Sequence, residues 1–348
     1  MAHGDGRGPV RPELGHDAAV DAALVTREAA VPVAVHRLAA TDDAVHFRWS
    51  EGLPPVLTVE PGDRVVVETR TGDDGQVTPG MGPDVLDAFD FSRLHALTGP
   101  IAVRGARPGD WLAIHVEEIV TGPWGFILQR PGGGLLRGFD PYLRFLDLDG
   151  VDVIRFAAGV TIPVRPFLGV MGVAPSGPDV RTIEPGRHGG NIDCRELTAG
   201  STLYLPIQVP DALFSCGDGH AAQGDGEVCV TAVECALTAS LRFDLVRPRL
   251  ELTDPIAETA EGWLTIGAAP TVEEASQAAV AAMIDLLAAT ASMTRADAYA
   301  LCSAAVDVRI NQLVNGGMRG VRAVLSRGVL DIPTSAVLAG SGGPGALT

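Results

Sequence analysis

The sequence predicts a mostly β protein of α+β class, a jelly-roll or β-sandwich-like core followed by a small C-terminal α/β segment containing two helices. Three observations carry this expectation. From Val31 to about Val246, short apolar runs alternate with Pro and Gly, the pattern of strands joined by tight turns. Within that region Glu60 to Glu68 and Arg107 to Val116 share one device, a Pro-Gly-Asp turn that launches an apolar run, and Leu197 to Leu205 is a looser copy. The intervals are unequal, which suits a sandwich better than a solenoid of fixed period. Past residue 255 the composition turns alanine-rich with helical spacing.

The elements follow in chain order. Residues 1 to about 30 are polar, rich in Gly, Ala and Asp, and weakly periodic; they are expected to form a loosely ordered N-terminal arm, with a short helix near Ala18 to Ala29. Residues 31–255 form the expected β-rich core, which carries the candidate catalytic residues. Inside it, Pro131-Gly-Gly-Gly reads as a loop, because it neither follows a clear strand nor opens a capped helix as a phosphate cradle must. Residues 256–333 read as helix, helix, strand, packed on the core. Thr271 and Glu274 have the spacing of a capping box, and Val272, Ala275, Ala279, Met283 and Leu286 then share one stripe. That helix ends near Ala291. Thr294 opens a second through Ala304, after which Val306, Val308 and Ile310 alternate as a strand. Thr334 to Thr348 is rich in Gly, Ser, Ala and Pro and reads as a flexible tail.

A chain of 348 residues, 46% hydrophobic and 20% charged, supports a sizeable buried core. Its net charge of −17 argues against nucleic acid and anionic membrane surfaces, which call for basic patches. A small molecule or another protein is the expected partner. No basic-flanked apolar leader is present, and the most apolar helical run, Val280 to Ala289, is broken by Asp285. Five cysteines are odd in number and too sparse for a disulfide framework, which fits a reducing compartment; a cytoplasmic location is expected. Every one of the 26 Lys-or-Arg positions is arginine. Without a lysine amine the chain cannot run a Walker A phosphate loop, a Schiff-base enzyme, the Glu-Lys-Cys site of nitrilase-type amidases or the Ser-Ser-Lys site of amidase-signature enzymes.

Chemistry-bearing residues concentrate in Phe214 to Glu234. Asp218 and His220 flank Gly219, and Asp225 and Glu227 flank Gly226, reading as two short turns because glycine permits positive φ. After Gly226 the chain reads as a strand of period two, with Glu227, Cys229, Thr231 and Val233 on one face and Val228, Val230, Ala232 and Glu234 on the other. That parity separates Glu227 from Glu234, and it sets Glu234 on the apolar face, where a carboxylate needs a metal, a cation or a proton donor. The bland alternative is a surface hairpin with ordinary Gly-Asp turn chemistry. His95, His188 and the Asn191 to Asp193 run lie on Gly-rich loops that could feed the same site. A lone histidine is more often structural than a ligand; several beside carboxylates point to a metal. Mixed His and carboxylate ligation suits Zn²⁺ or another borderline ion, all-oxygen ligation Ca²⁺ or Mg²⁺. The spacing fits no EF-hand, and there is no HExxH.

The chain resembles the acetamidase/formamidase family over nearly its whole length. The residues that carry the resemblance are Leu53 to Asp63, His95-Ala-Leu-Thr-Gly-Pro, Arg165 to Pro175, Pro185 to Asp193, Leu203-Tyr-Leu-Pro, Gly217 to Glu227 with Thr231-Ala-Val-Glu, Ala298 to Ser303 and Asp307-Val-Arg-Ile. Val306 stands where the family often has a glycine, a departure that bears on local packing. The resemblance implies a jelly-roll-like fold, a homo-oligomer (a dimer or higher), a bound divalent metal and hydrolysis of short amides such as formamide or acetamide to a carboxylate and ammonia. The metal ligands are expected to be His95, Asp193, Asp218 and His220. Asn191, Gly217 and Thr98 are expected to touch substrate, with Glu227, Glu234 and His220 as the catalytic groups.

The chemistry agrees. An amide is a poor electrophile with a poor leaving group, so its hydrolysis needs an activated nucleophile, a counter-charge for the oxyanion and an acid for the departing nitrogen. A metal-activated water with a glutamate as proton shuttle meets all three needs. Glu227 is expected to move the proton, while Glu234 ligates or orients. Two alternatives stay open: a cysteine nucleophile at Cys216, activated by His220 or His95, and a non-catalytic, metal-stabilised small-molecule-binding β-sandwich.

Overall fold

The strand Trp111–Thr121 shows how the core is partitioned. Leu112, Ile114 and Val116 enter one apolar cluster, whereas Trp111 and Ala113 enter another, as the two-residue period of an extended chain requires. The computed structural model describes residues 33–249 and 252–340; the expected N-terminal arm lies outside the described residues.

Two ten-stranded sheets supply the walls of the first cluster. One runs Val35–Leu38, Arg64–Glu68, Leu237–Pro248, Trp111–Thr121, Thr202–Pro206, Ile256–Glu258, Gly262–Ala269, Arg319–Ser326, Val306–Gln312. The other runs Pro185–Gly186, Gly189–Asn191, Phe167–Gly172, Phe214–Ala222, Val233–Glu234, Trp124–Gln129, Tyr142–Asp147, with Leu97–Val103 also paired to Phe214–Ala222. Ile114, Leu241 and Phe243 from the first sheet pack with Leu168, Phe214 and Cys216 from the second. This is the β-sandwich expected from the alternation of short apolar runs and turns.

Helices cover the outer face of the first sheet. α1 spans Val272–Thr290 and α2 spans Arg295–Ala305. Ala275, Ala279, Met283, Leu286 and Leu287 of α1 pack with Trp263, Ala323 and Leu325 of the sheet, the stripe the sequence spacing predicts. Thr271 accepts from Glu274 N (3.2 Å) and Glu274 Oε2 accepts from Thr271 N (3.2 Å), so the capping box is formed. Among the described residues no single helix is long and apolar enough to cross a membrane.

Three local expectations differ from the structure. Phe214–Ala222 is a fully buried strand, where the sequence reads as glycine turns. Its glycines serve close packing: a Cβ on Gly217 would strike Ala96 O, and one on Gly219 would come within 2.5 Å of Cys235 O. The strand expected from Glu227 onward is instead irregular chain as far as Ala232. Glu227 and Val230 there adopt φ of 47° and 96°, which breaks the two-residue alternation; only Val233–Glu234 pairs, before Leu237–Pro248 begins. Within the expected tail, Thr334–Val337 form a helical turn and Leu338–Gly340 pair with Leu237–Pro248. Val337 and Leu338 are buried, and that anchorage outweighs the small, polar composition.

Candidate active site

His220 lies at the centre. It is fully buried on the Phe214–Ala222 strand, with its ring edge-on to Phe167 (5.1 Å between centroids). Its Nδ1 is 2.9 Å from Gln223 Oε1. An amide oxygen only accepts, so Nδ1 carries a hydrogen and the ring orientation is fixed. Gln223 is held in turn, its Nε2 donating to Asp193 O (3.0 Å) and Asn311 O (3.1 Å).

The other ring nitrogen faces carboxylates. Nε2 is 3.2 Å from Glu234 Oε1, 3.5 Å from Asp218 Oδ2 and 3.9 Å from Glu227 Oε1, but none is aligned for a hydrogen bond, and Glu227 Oε2 likewise has no partner. Glu234 reaches this point because its strand pairs it directly with His220. Glu227 reaches it because the irregular chain turns it inward. Asp218 sits at φ 55° inside a strand, which points its carboxylate away from the ordinary pleat.

Asp193 approaches from the other flank, with Oδ1 4.0 Å from His220 Nδ1, and its Oδ2 accepts from Asn315 Nδ2. With its amide oriented to satisfy both neighbours, Asn191 donates to Asp193 (3.1 Å to Oδ2) and accepts from Asn315 (2.7 Å). His95 Nε2 is 3.9 Å from Asp218 Oδ2, and its backbone is fixed by donation to Thr182 Oγ1 (2.6 Å). Two glycines make room: a Cβ on Gly72 would overlap Asp218 Oδ1, and one on Gly169 would lie 2.7 Å from Asp193 Oδ1.

Electrostatics drive these acids apart. Burial opposes the charge on Asp218, but His95 and His220 outweigh it and hold that carboxyl well below the usual range. Burial, reinforced by Asp193, pushes Glu227 well above it, and burial likewise raises Glu234. Asp193 is pushed up to about 8 by burial, with Asp218 and Glu234 adding to the effect. Burial opposes the imidazolium of His220, yet Glu234 and Asp218 hold it well above the ordinary histidine range. Acids separated in this way can divide charge stabilisation from proton transfer.

Among the described residues two sets of three could hold a cation: Asp193, His220 and Glu227, and Asp218, His220 and Glu234, the donor atoms of each lying within 4.8 Å of one another. The fit is supported by the unpartnered His220 Nε2 and Glu227 Oε2 and by a donor chemistry of imidazole plus carboxylates, which suits a borderline divalent ion.

Asp218, Glu227, Glu234, His95, Asn191 and Asn315 line a cavity of about 80 Å³. Leu86, Phe89, Phe91, Leu94, Phe126 and Leu128 line it as well. Glu227 also lines a second cavity of about 440 Å³, with Arg165, Arg195 and Cys229.

Of the residues predicted from sequence, His95, Asn191, Asp193, Asp218, His220, Glu227 and Glu234 come together here. Thr98 and Gly217 do not line the cavity: the Thr98 hydroxyl donates to Glu68 O (2.8 Å), and Gly217 abuts Ala96. Cys216 faces the inter-sheet core, where burial pushes its thiol up to about 12. His188 is buried against Trp49, away from the cluster. Sequence reasoning missed Gln223, Asn315 and Gly72. Gln223 carried a signal, three residues beyond His220 on the same stretch; the other two did not, since nothing local ties them to Asp193 or Asp218.

The acetamidase/formamidase family model matches residues 33–178 and 177–321. The chain belongs to the acetamidase/formamidase family. Among solved members, an acetamidase from Yersinia enterocolitica superposes with a TM-score of 0.81 at 30% identity, over 86% of this chain and 94% of that one. An acetamidase from Bacillus halodurans gives 0.77 at 32%, over 83% and 97%. A formamidase from Methylophilus methylotrophus is 28% identical over 268 residues, 59% of this chain. The match spans 65% of that relative, just under two thirds of its length.

Proposed function

We propose that this acetamidase/formamidase family member is a hydrolase of linear carboxamides, dependent on a divalent metal. The observation that carries the proposal is the unpartnered Nε2 of His220 among three carboxylates that line a cavity. Asp218, His220 and Asp193, with His95 close by, would hold the ion, zinc being the expected one. Once bound, such an ion activates water and polarises a carbonyl oxygen.

The protein's own groups supply the rest. Asp218, held ionised by the two histidines, keeps negative charge where a cation would sit. Gln223 holds His220 in place, and Asn315 with Asn191 fixes Asp193. Glu227, its Oε2 free and its affinity for a proton raised, takes a proton from water as oxygen joins the acyl carbon. It returns that proton to nitrogen as the C–N bond breaks, so ammonia leaves and the carboxylate remains. The second cavity beside Glu227 gives it a way to exchange protons with solvent.

The test is ammonia release from an amide panel, before and after thorough chelation and after adding back single metals. Turnover that needs the metal supports the reading. Full activity in protein shown metal-free by elemental analysis rules it out, and a trapped acyl-enzyme at Cys216 would replace it with the thiol mechanism.

A further inference from the structure

We infer that Asp73 accepts a hydrogen bond from the nitrogen of the bound amide, and that this contact makes the site favour amides over the corresponding esters. The inference rests on the amide-hydrolase reading above and concerns an acid to which the reaction gives no other part.

Two neighbouring acids contrast. Asp73 and Asp74 are both buried, but the carboxylate of Asp74 pairs with Arg70 (2.8 Å) and with Arg93. Asp73 is only half satisfied. Its Oδ2 accepts from Val77 N (2.5 Å), whereas its Oδ1 is buried without a hydrogen-bond partner among the described residues. A buried orphan of this kind calls for an explanation. Burial raises the pKa of the carboxyl against the pull of the Thr71 hydroxyl and the Val77 N–H, as expected of an acceptor short of donors.

Its position makes a substrate the missing donor. Asp73 lines the same cavity as Asp218, Glu227 and Glu234. Gly72, one Cα step of ~3.8 Å away, backs on Asp218 and His95: a Cβ there would overlap Asp218 Oδ1 and lie 3.2 Å from the His95 ring. The cavity volume of about 80 Å³ is close to half of the ~150 Å³ that takes benzene, so a ligand of a few heavy atoms fills it and meets every wall. The main chain of Asp73 is held as well, its carbonyl accepting from Gln76 Nε2 (2.9 Å).

The groups of a bound amide then divide. Its carbonyl oxygen goes to the ion, and its N–H groups need acceptors. Thr231 Oγ1 is engaged with Leu128 N (3.0 Å) and Leu128 O (3.2 Å), Asn191 accepts from Asn315, and Arg130 carries donors only. His95 belongs with the ion. Asp73 Oδ1 and Glu227 Oε2 are the buried carboxylate oxygens of the lining that lack partners, and Glu227 moves the proton. As nitrogen takes that proton and leaves, positive charge grows on it, so a fixed carboxylate oxygen holds it more strongly in the transition state than in the ground state. An ester has oxygen in that place. It offers no N–H and sets lone pairs against the carboxylate.

The experiment measures kcat/KM of metal-loaded wild type and Asp73→Asn on acetamide and methyl acetate, with the metal content and denaturant midpoint of each protein. Asparagine keeps an acceptor for Val77 N and turns an NH₂ towards the substrate. We expect kcat/KM for acetamide to fall by at least about tenfold, with methyl acetate turnover, metal content and midpoint close to wild type. Asp73→Ser, which removes the orphan oxygen and leaves a hydroxyl for Val77 N, should lower the amide-to-ester ratio in the same direction. An Asp73→Asn with wild-type kcat/KM for acetamide overturns the inference. So does a loss on acetamide matched by the ester or by lost metal, and each of these leaves the amide-hydrolase reading standing. No ammonia from any amide with wild type overturns that reading, and this inference with it.

Discussion

Glu234 is the cross-strand partner of His220, and its Oε1 rests 3.2 Å from the imidazole Nε2. The same oxygen accepts from Ala232 N (3.0 Å), so Glu234 is fixed by backbone on both sides. Glu227 has an oxygen with no partner. The two variants should therefore separate. Glu227→Gln should bind metal normally and lose at least about two decades of turnover. Glu234→Gln should lower metal occupancy or melting temperature together with activity. A fully metallated, stable but inert Glu234→Gln beside an active Glu227→Gln would exchange their roles.

Removing the metal should cost stability as well as turnover, because Asp193, Asp218, Glu227 and Glu234 are all buried around one histidine. Binding to the folded state alone stabilises it. Chelation should lower the melting temperature, and titrating metal back should raise it with activity. An unchanged melting temperature in metal-free protein would contradict this.

Cys216→Ala should keep most of the turnover number at a cost of about 1 kcal/mol in stability. Its thiol faces the core, and its pKa is raised rather than lowered. The measurements are kcat and a denaturant midpoint; a folded but dead variant would revive the thiol nucleophile.

Arg322 is fully buried and forks between Glu196 (2.7 Å) and Asp225 (2.8 Å) while donating to Asn311 Oδ1 (2.8 Å). Arg322→Met removes the buried cation between Glu196 and Asp225, which keep Arg195 at 3.7 and 3.0 Å, and a loss of roughly 1–3 kcal/mol is expected. Asp225 lies two residues before Glu227, so kcat should fall as well. A variant with wild-type midpoint and kcat would show that this fork holds nothing.

His188 gives a pH dependence remote from the acidic cluster. Burial lowers its pKa to about 4 from 6.5, so the folded state favours the neutral ring. That contribution is complete above pH ~6.5 and is lost as pH falls toward about 4. The shift of about 2.5 units corresponds to roughly 3 kcal/mol. Wild type should lose stability relative to His188→Phe as pH falls from 7 to 4, read from denaturant midpoints; parallel curves would refute the assignment.

The helical layer was legible because its signals are local. Thr271 and Glu274 cap the helix that their own spacing announces, and Ala275, Ala279 and Met283 need only one period to be read. The ionisable residues of the site were legible because so many lie within Asp218 to Glu234. Their arrangement was not. Gly217 and Gly219 look like turn residues until Ala96 and Cys235 are seen pressing on them. Parity put Glu227 and Glu234 on opposite faces, and two positive φ values undo that parity. Asn315 meets Asp193 across 122 positions of sequence, a contact that no local pattern encodes.

Asp218, His220 and Glu234 sit on strands, whereas much of the cavity's apolar lining sits on the 83–94 segment. Replacing that segment would leave the register of Phe214–Ala222 and Val233–Glu234 untouched. A change confined to that segment would therefore reshape the cavity's apolar lining and leave the pairing of His220 with Glu234 as it is.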